Sequence, residues 1–85
     1  MTWQLKFTSS ARKELHKLPR DQQVRIAEAV RRLALNPRPP GCKKLKGSPN
    51  HRIRVGDYRV IYSVDEGQIR ILILAIAHRR EVYRR

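Results

Sequence analysis

The chain has 85 residues and a formal net charge of +13, from 20 Lys and Arg against 7 Asp and Glu. This length predicts one small domain over residues 1–85, and the charge excludes the surface of an ordinary small-molecule enzyme. Such a surface indicates a polyanionic partner: nucleic acid, an anionic membrane or an acidic protein. The simpler explanation of the charge is solubility alone. Clustering of the cations on one face would favour a polyanionic partner instead.

Several classes of site are excluded by what the sequence lacks. Cys42 is the single cysteine, which rules out an internal disulfide framework, and no Cys/His cluster has zinc spacing. The acids are scattered and no Walker, GxGxxG or Ser-His-Asp pattern is present, so we expect no metal, no cofactor and no small-molecule ligand. The first residues do not read as a signal peptide, and the longest apolar run, residues 71–77, is too short to span a bilayer. We expect a cytoplasmic protein without membrane association.

The first half of the chain reads as a strand followed by two helices. Residues 3–7 alternate apolar and polar side chains, which is the period of a strand. Ser9 and Ser10 are the predicted N-cap residues of the first helix. Apolar residues then recur at helical spacing in two stretches separated by Pro19. The Pro- and Gly-rich residues 36–41 end the second helix.

The second half reads as three strands joined by short turns. Residues 51–55 and 58–64 alternate, with the turn dipeptide Gly56-Asp57 between them. A second turn at residues 65–67 precedes a long apolar strand over residues 68–77. The predicted fold is α+β: an N-terminal strand, a two-helix hairpin and a three-stranded antiparallel meander, forming a four-stranded sheet with the helices on one face.

A two-residue loop at Gly56-Asp57 also predicts which side chains share a face. It places Arg54 opposite Arg59, with Arg52 on the same side, turned away from the helices. Like charges directly opposed across a strand pair are destabilising, so we interpret this face as the place of an anion. The alternative is a solvated face on which the long side chains splay apart. Further cations lie just upstream, at Lys43, Lys44 and Lys46.

Residues 78–85 add a histidine, four arginines and a tyrosine. Arginines can clamp phosphate, His78 titrates near neutral pH, and Tyr83 offers a ring on which a base can stack. The simpler interpretations are a surface histidine and an aromatic residue at the edge of the core.

The order of the elements, together with three motifs, resembles the RelE/ParE toxin superfamily and, more closely, its RelE branch. The motifs are KLKG at residues 44–47, RIRVGDYRVIY at residues 52–62 and HRREVY at residues 78–83. The short ending after Tyr83 also favours the RelE branch. The resemblance implies a toxin that enters the ribosome at the 30S A site and cleaves mRNA there without metal. It also implies a cognate antitoxin that holds the toxin inactive.

The resemblance also implies roles for individual residues. Arg59 matches an arginine that contacts phosphate, and Arg79 matches one that supports the leaving oxygen. Tyr83 matches a tyrosine that stacks on the base and orients it. The residues so expected to take part in catalysis are Arg54, Arg59, His78, Arg79 and Tyr83, and those expected to bind RNA are Lys43, Lys44, Lys46, Arg52 and Arg80.

One departure from the family pattern concerns the general base. Arg52 and Arg54 occupy two strand positions that are lysines in well-known members, and arginine cannot readily accept a proton because its pKa exceeds about 12. Either Arg54 acts only electrostatically, or another group takes the proton. His78 is the first substitute and His51 the second. We expect His78 to lie near Arg52 or Arg54, whose charge would keep the imidazole neutral.

Three functions remain open at the level of sequence. The first is a ribosome-dependent endoribonuclease. The second is a ParE-like poison of DNA gyrase on the same scaffold, since ParE-type relatives share the fold. The third is a non-catalytic nucleic-acid-binding module whose basic face grips phosphates.

Overall fold

A computed structural model of the chain describes residues 2–78. Its five strands form one sheet in the order β1-β5-β4-β3-β2, in which β1 and β5 run parallel and the other neighbours run antiparallel. The elements in chain order are β1 (Gln4–Phe7), α1 (Ser9–His16), α2 (Arg20–Leu33), β2 (Lys43–Lys44), β3 (His51–Val55), β4 (Tyr58–Asp65) and β5 (Arg70–His78).

The α+β class and the placement of both helices on one face of the sheet are confirmed. The predicted sheet is one strand short, because β2 adds a fifth strand at the edge. This strand is two residues long and both residues are exposed, so it carries no alternation that a sequence pattern could register.

Helix α1 begins after a residue whose side chain caps it. Thr8, in an extended conformation, caps α1 by accepting a hydrogen bond from Ala11 N at 3.0 Å, and its hydroxyl donates to Leu74 O at 3.2 Å. The predicted cap at Ser9 or Ser10 is therefore wrong, because both serines lie inside the first turn.

Within residues 2–78, neither helix is long and apolar enough to cross a membrane.

The core lies between the helices and one face of the sheet. Burying a large aliphatic or aromatic side chain there contributes roughly 1.5–3 kcal/mol. Residues 53 and 55 of β3 and 60 and 62 of β4 alternate into this layer, as the hairpin pattern predicts. The buried members are Ala11, Ile26, Val30, Leu33, Ile53, Val55, Val60, Tyr62, Ile71, Ile73 and Ile76.

A bulge interrupts the pairing of β4 with β5. Ile61 pairs with Ala75 whereas Tyr62 pairs with Ile73, so Leu74 is an extra residue on β5. Because side chains alternate along a strand, one extra residue exchanges the two faces. Odd-numbered residues of β5 face the helices before the bulge, and even-numbered residues face them after it.

The turn between β3 and β4 depends on a glycine. Gly56 has φ of +59°, and a Cβ added there would lie 3.3 Å from Arg25 Nη1. Gly67 makes a matched control, because its φ is not in the left-handed region and its added Cβ would meet only Asp65 Oδ1 at 3.5 Å.

We expect Gly56→Ala to lower the free energy of unfolding by about 1–2 kcal/mol more than Gly67→Ala, because a side chain is strained at positive φ. Urea denaturation followed by circular dichroism measures both values. Equal losses in the two variants would show that the turn does not need glycine.

Candidate functional site

The sheet surface opposite the core carries a cluster of four cations, Lys43, Arg52, Arg54 and Arg59, which we call the arginine face. Arg54 pairs directly with Arg59 across β3 and β4. Arg52 pairs directly with Lys43 across β3 and β2. Paired residues on neighbouring strands point to the same side, so all four project together. The predicted register of the hairpin, with its three arginines on one face, is confirmed.

The arginines of this face differ in exposure. Arg54 is exposed, whereas Arg52 and Arg59 retain 9% and 7% of their accessible surface. Arg59 lies between Arg54 on one side and Ala77 on the other. A guanidinium held in this way has already lost much of its rotamer freedom, so it loses less on binding an anion.

A cavity of about 290 Å³ opens between β2 and β3 on this side of the molecule. It offers room for a phosphate group, and none of the described residues that line it is acidic. An anion bound here would meet cationic groups from two strands at once. The lining residues are Pro40, Gly41, Lys43, Arg52, Ile53 and Arg54.

The three predicted RNA-binding lysines separate in the structure. Lys43 belongs to the arginine face, but Lys44 pairs with His51 and so points to the other side of the sheet. Lys46 is exposed in the loop between β2 and β3, which is closed by a hydrogen bond from Leu45 N to Asn50 O at 2.8 Å. A role in RNA binding stays a prediction for all three.

His78 lies on the helix side of the sheet. It pairs with Tyr58, and the two rings meet edge to face with centroids 5.5 Å apart. Together with Glu14 of α1 and Lys17, which follows that helix, it lines a separate cavity of about 410 Å³, where Glu14 Oε1 accepts a hydrogen bond from Ile76 N at 3.1 Å. The expected position beside the arginines of β3 is wrong, because the bulge in β5 turns this end of the strand over.

His51, the second substitute for a general base, also faces away from the arginines. Its ring stacks on buried Tyr62 with centroids 5.8 Å apart, and its Nδ1 is buried without a hydrogen-bond partner within residues 2–78. Burial, with the positive charges of Arg38 and Lys44, lowers the pKa of His51 below its ordinary 6.5. The ring is thus part of the packing against Tyr62.

Sequence reasoning gave no role to the residues that tie the segment before β2 to the sheet. The hydroxyl of Tyr62 donates to Pro37 O at 2.7 Å and lies 3.3 Å from Cys42 Sγ. Burial, together with the Cys42 contact, raises the pKa of Tyr62. The alternation of side chains along β4 predicts that Tyr62 points into the core. It does not predict the contacts with Cys42 and Pro37, which lie 20 and 25 positions away along the chain.

Arg79, Arg80 and Tyr83 lie outside the described residues, so their roles stay predictions. Over residues 2–78, no group of three or more His, Cys, Asp and Glu side chains is placed to hold a metal ion. The chemistry that the described residues offer is anion binding by the arginine face.

Comparisons with known proteins agree with this architecture. The sequence profile of the ParE toxin of type II toxin–antitoxin systems matches residues 5–83. Toxin RelG of Mycobacterium tuberculosis is 33% identical over 89 aligned positions, which cover 100% of this chain and 100% of that protein. Toxin RelE of the same organism is 35% identical over 80 positions, covering 92% of this chain and 82% of the relative. The chain therefore belongs to the RelE/ParE family of toxins from type II toxin–antitoxin systems.

Solved structures of RelE-type complexes share the fold. A chain of the archaeal RelE–RelB complex from Pyrococcus horikoshii superposes with a TM-score of 0.83 at 35% identity, covering 93% of this chain and 97% of that one. A chain of the RelBE2 toxin–antitoxin complex from Mycobacterium tuberculosis gives 0.84 at 28% identity, with 92% of each chain covered. The resemblance read from the sequence motifs is confirmed.

The lowered pKa of His51 predicts a pH dependence of stability. Because the folded state binds this proton less readily than the unfolded chain, the stabilisation is complete above the ordinary histidine pKa of 6.5 and is lost as the pH falls below it. We expect the melting temperature to fall between about pH 7 and about pH 5, and His51→Gln to flatten this fall.

Thermal melts across that pH range, followed by circular dichroism, measure the effect. His16→Gln is the matched control, because His16 is exposed on α1 and its loss should leave the slope unchanged. If His51→Gln retains the full slope, the pH dependence has another source.

Proposed function

We propose that this protein is a ribosome-dependent endoribonuclease toxin that cleaves mRNA in the A site, in the cytoplasm. The observation that carries the proposal is the arginine face, where Arg54 and Arg59 oppose each other beside Arg52 and Lys43. Guanidinium groups that oppose each other across two strands can bind one anion from two sides. RNA presents such anions as a continuous row of phosphates.

The chemistry needs few protein groups. RNA cleaves itself when a ribose 2′-OH is aligned with the adjacent phosphate, so a protein accelerates the reaction by holding that alignment. Negative charge grows on the phosphate oxygens as the 2′ oxygen attacks, and preorganised guanidinium groups stabilise it. Arg59 suits this role because its side chain is held between its neighbours. Neither step requires a metal ion or another cofactor.

A cognate antitoxin is the second proposed partner. The structural relatives from Pyrococcus horikoshii and Mycobacterium tuberculosis are toxin–antitoxin complexes. A protein of net charge +13 attracts an acidic or amphipathic segment, and cover over the arginine face would block access to RNA.

One observation favours a second function. The family profile that matches residues 5–83 is that of ParE toxins, so poisoning of DNA gyrase on the same scaffold is the alternative. This function is protein binding without nuclease chemistry, and it does not require the arginine face to meet phosphate.

Primer extension on mRNA from a translation extract, with and without the protein, separates these functions. Cuts in phase with codons support the nuclease. Intact mRNA with DNA breaks trapped on gyrase supports the alternative and overturns the proposal. Intact mRNA with salt-sensitive RNA binding alone indicates a non-catalytic binding module.

We expect Arg54→Gln and Arg59→Gln each to lower the cleavage rate by about 10²–10³-fold, because each removes a charge that stabilises the transition state. Single-turnover cleavage on programmed ribosomes measures the rate. Growth arrest on induction in cells should be lost in parallel.

Arg12→Gln is the matched control, because it removes the same charge from an exposed position of α1, away from the arginine face. Because Arg54 is exposed, Arg54→Gln should fold normally, and a lower rate then reports lost chemistry. Arg59 is buried, so a thermal melt of Arg59→Gln has to show that this variant is folded. Full activity in Arg54→Gln and Arg59→Gln together would exclude the arginine face as the site.

A further inference from the structure

The proposed cleavage leaves the destination of one proton open. When the 2′ oxygen attacks phosphorus, its proton must pass to an acceptor, and the 5′ oxygen must gain a proton as it leaves. Guanidinium groups stay protonated near neutral pH and have no lone pair to accept a proton, so the three arginines of the arginine face can neutralise charge but cannot take this proton. His51 and His78 lie on the opposite side of the sheet.

We propose that Lys43 is the proton-transfer residue of the arginine face; this inference rests on the proposed nuclease function. Lysine differs from arginine in that its amine can lose and regain a proton, which is why lysines serve as general bases. Among the side chains of residues 2–78 that line the 290 Å³ cavity, Lys43 alone has this property. Its place in that cavity puts an amine beside two guanidinium groups.

The strand register sets the reach of Lys43. It pairs directly with Arg52, so the two Cα atoms lie about 5 Å apart, and Arg54 is the diagonal neighbour at about 7–8 Å. A phosphate held by these arginines is within the length of a lysine side chain. Lys6 lies at the other edge of the sheet on β1, and Lys46 lies in the loop outside this cavity.

The proposed step balances as follows. The amine of Lys43 takes the proton of the 2′-OH while the O2′–P bond forms and the P–O5′ bond breaks. Water gives a proton to the 5′ oxygen, and the hydroxide left behind removes the extra proton from Lys43. The products are a 2′,3′-cyclic phosphate and a 5′-OH end, and the lysine returns to its starting state.

Single-turnover cleavage on programmed ribosomes, at saturating protein, tests the assignment. We expect Lys43→Arg, which keeps the charge but cannot act as a base, to lose about 10²–10⁴-fold in rate while ribosome binding stays unchanged. Lys43→Ala should lose at least as much. Lys6→Ala, on the same sheet face at the far edge, is the matched control and should retain the wild-type rate. Lys43 is exposed, so its variants are expected to fold.

Chemical rescue separates proton transfer from charge. Added ethylamine should restore the rate of Lys43→Ala by about tenfold or more, because a free amine can take the proton. Added guanidinium, a cation that does not exchange protons, should not restore it. A Lys43→Arg rate within about threefold of wild type, or equal rescue by guanidinium, would overturn the role of Lys43 and leave the nuclease function standing. If the wild-type protein cuts no mRNA, the nuclease function and the role of Lys43 fall together.

Discussion

The two-residue turn at Gly56-Asp57 is the constraint on which the rest of the molecule depends. A loop this short gives each residue of β3 one partner on β4, and the alternation of side chains does the rest. The same register sends Ile53 and Val60 into the core and holds Arg54 against Arg59 on the opposite surface. A slip by one residue would place arginines under the helices. The core and the arginine face are therefore two results of one turn.

The arginine face is a local cost that the core outweighs. Two like charges opposed in a strand pair cost a few tenths of a kcal/mol, whereas each large core side chain contributes roughly 1.5–3 kcal/mol. The fold can therefore carry this cluster of cations on one face. Any anion that binds only the folded state would add to the free energy of unfolding.

The sequence predicts which face of a strand a residue occupies only where apolar and polar side chains alternate. The hairpin of β3 and β4 alternates apolar with charged side chains, so its register and its arginine face were readable. Residues 71–77 are uniformly apolar, so nothing marked the bulge at Leu74 that places His78 on the helix side. The pairing of β2 with β3 sets the face on which Lys43 lies. Because β2 has only two residues, the sequence shows no periodicity that predicts this strand. The cap at Thr8 depends on backbone conformation, which its serine neighbours could equally have adopted.

Two hydrogen bonds from α1 and its cap have a consequence for how copies of this chain meet. β1 ends at Phe7 while β5 continues to His78, so within residues 2–78 the last part of β5 has no neighbouring strand on that side. The hydroxyl of Thr8 donates a hydrogen bond to Leu74 O, and the carboxylate of Glu14 accepts one from Ile76 N. These backbone groups are therefore not offered to a strand from another molecule. With two lysines on β2 at the opposite edge of the sheet, these contacts limit edge-to-edge pairing at β2 and at the last part of β5.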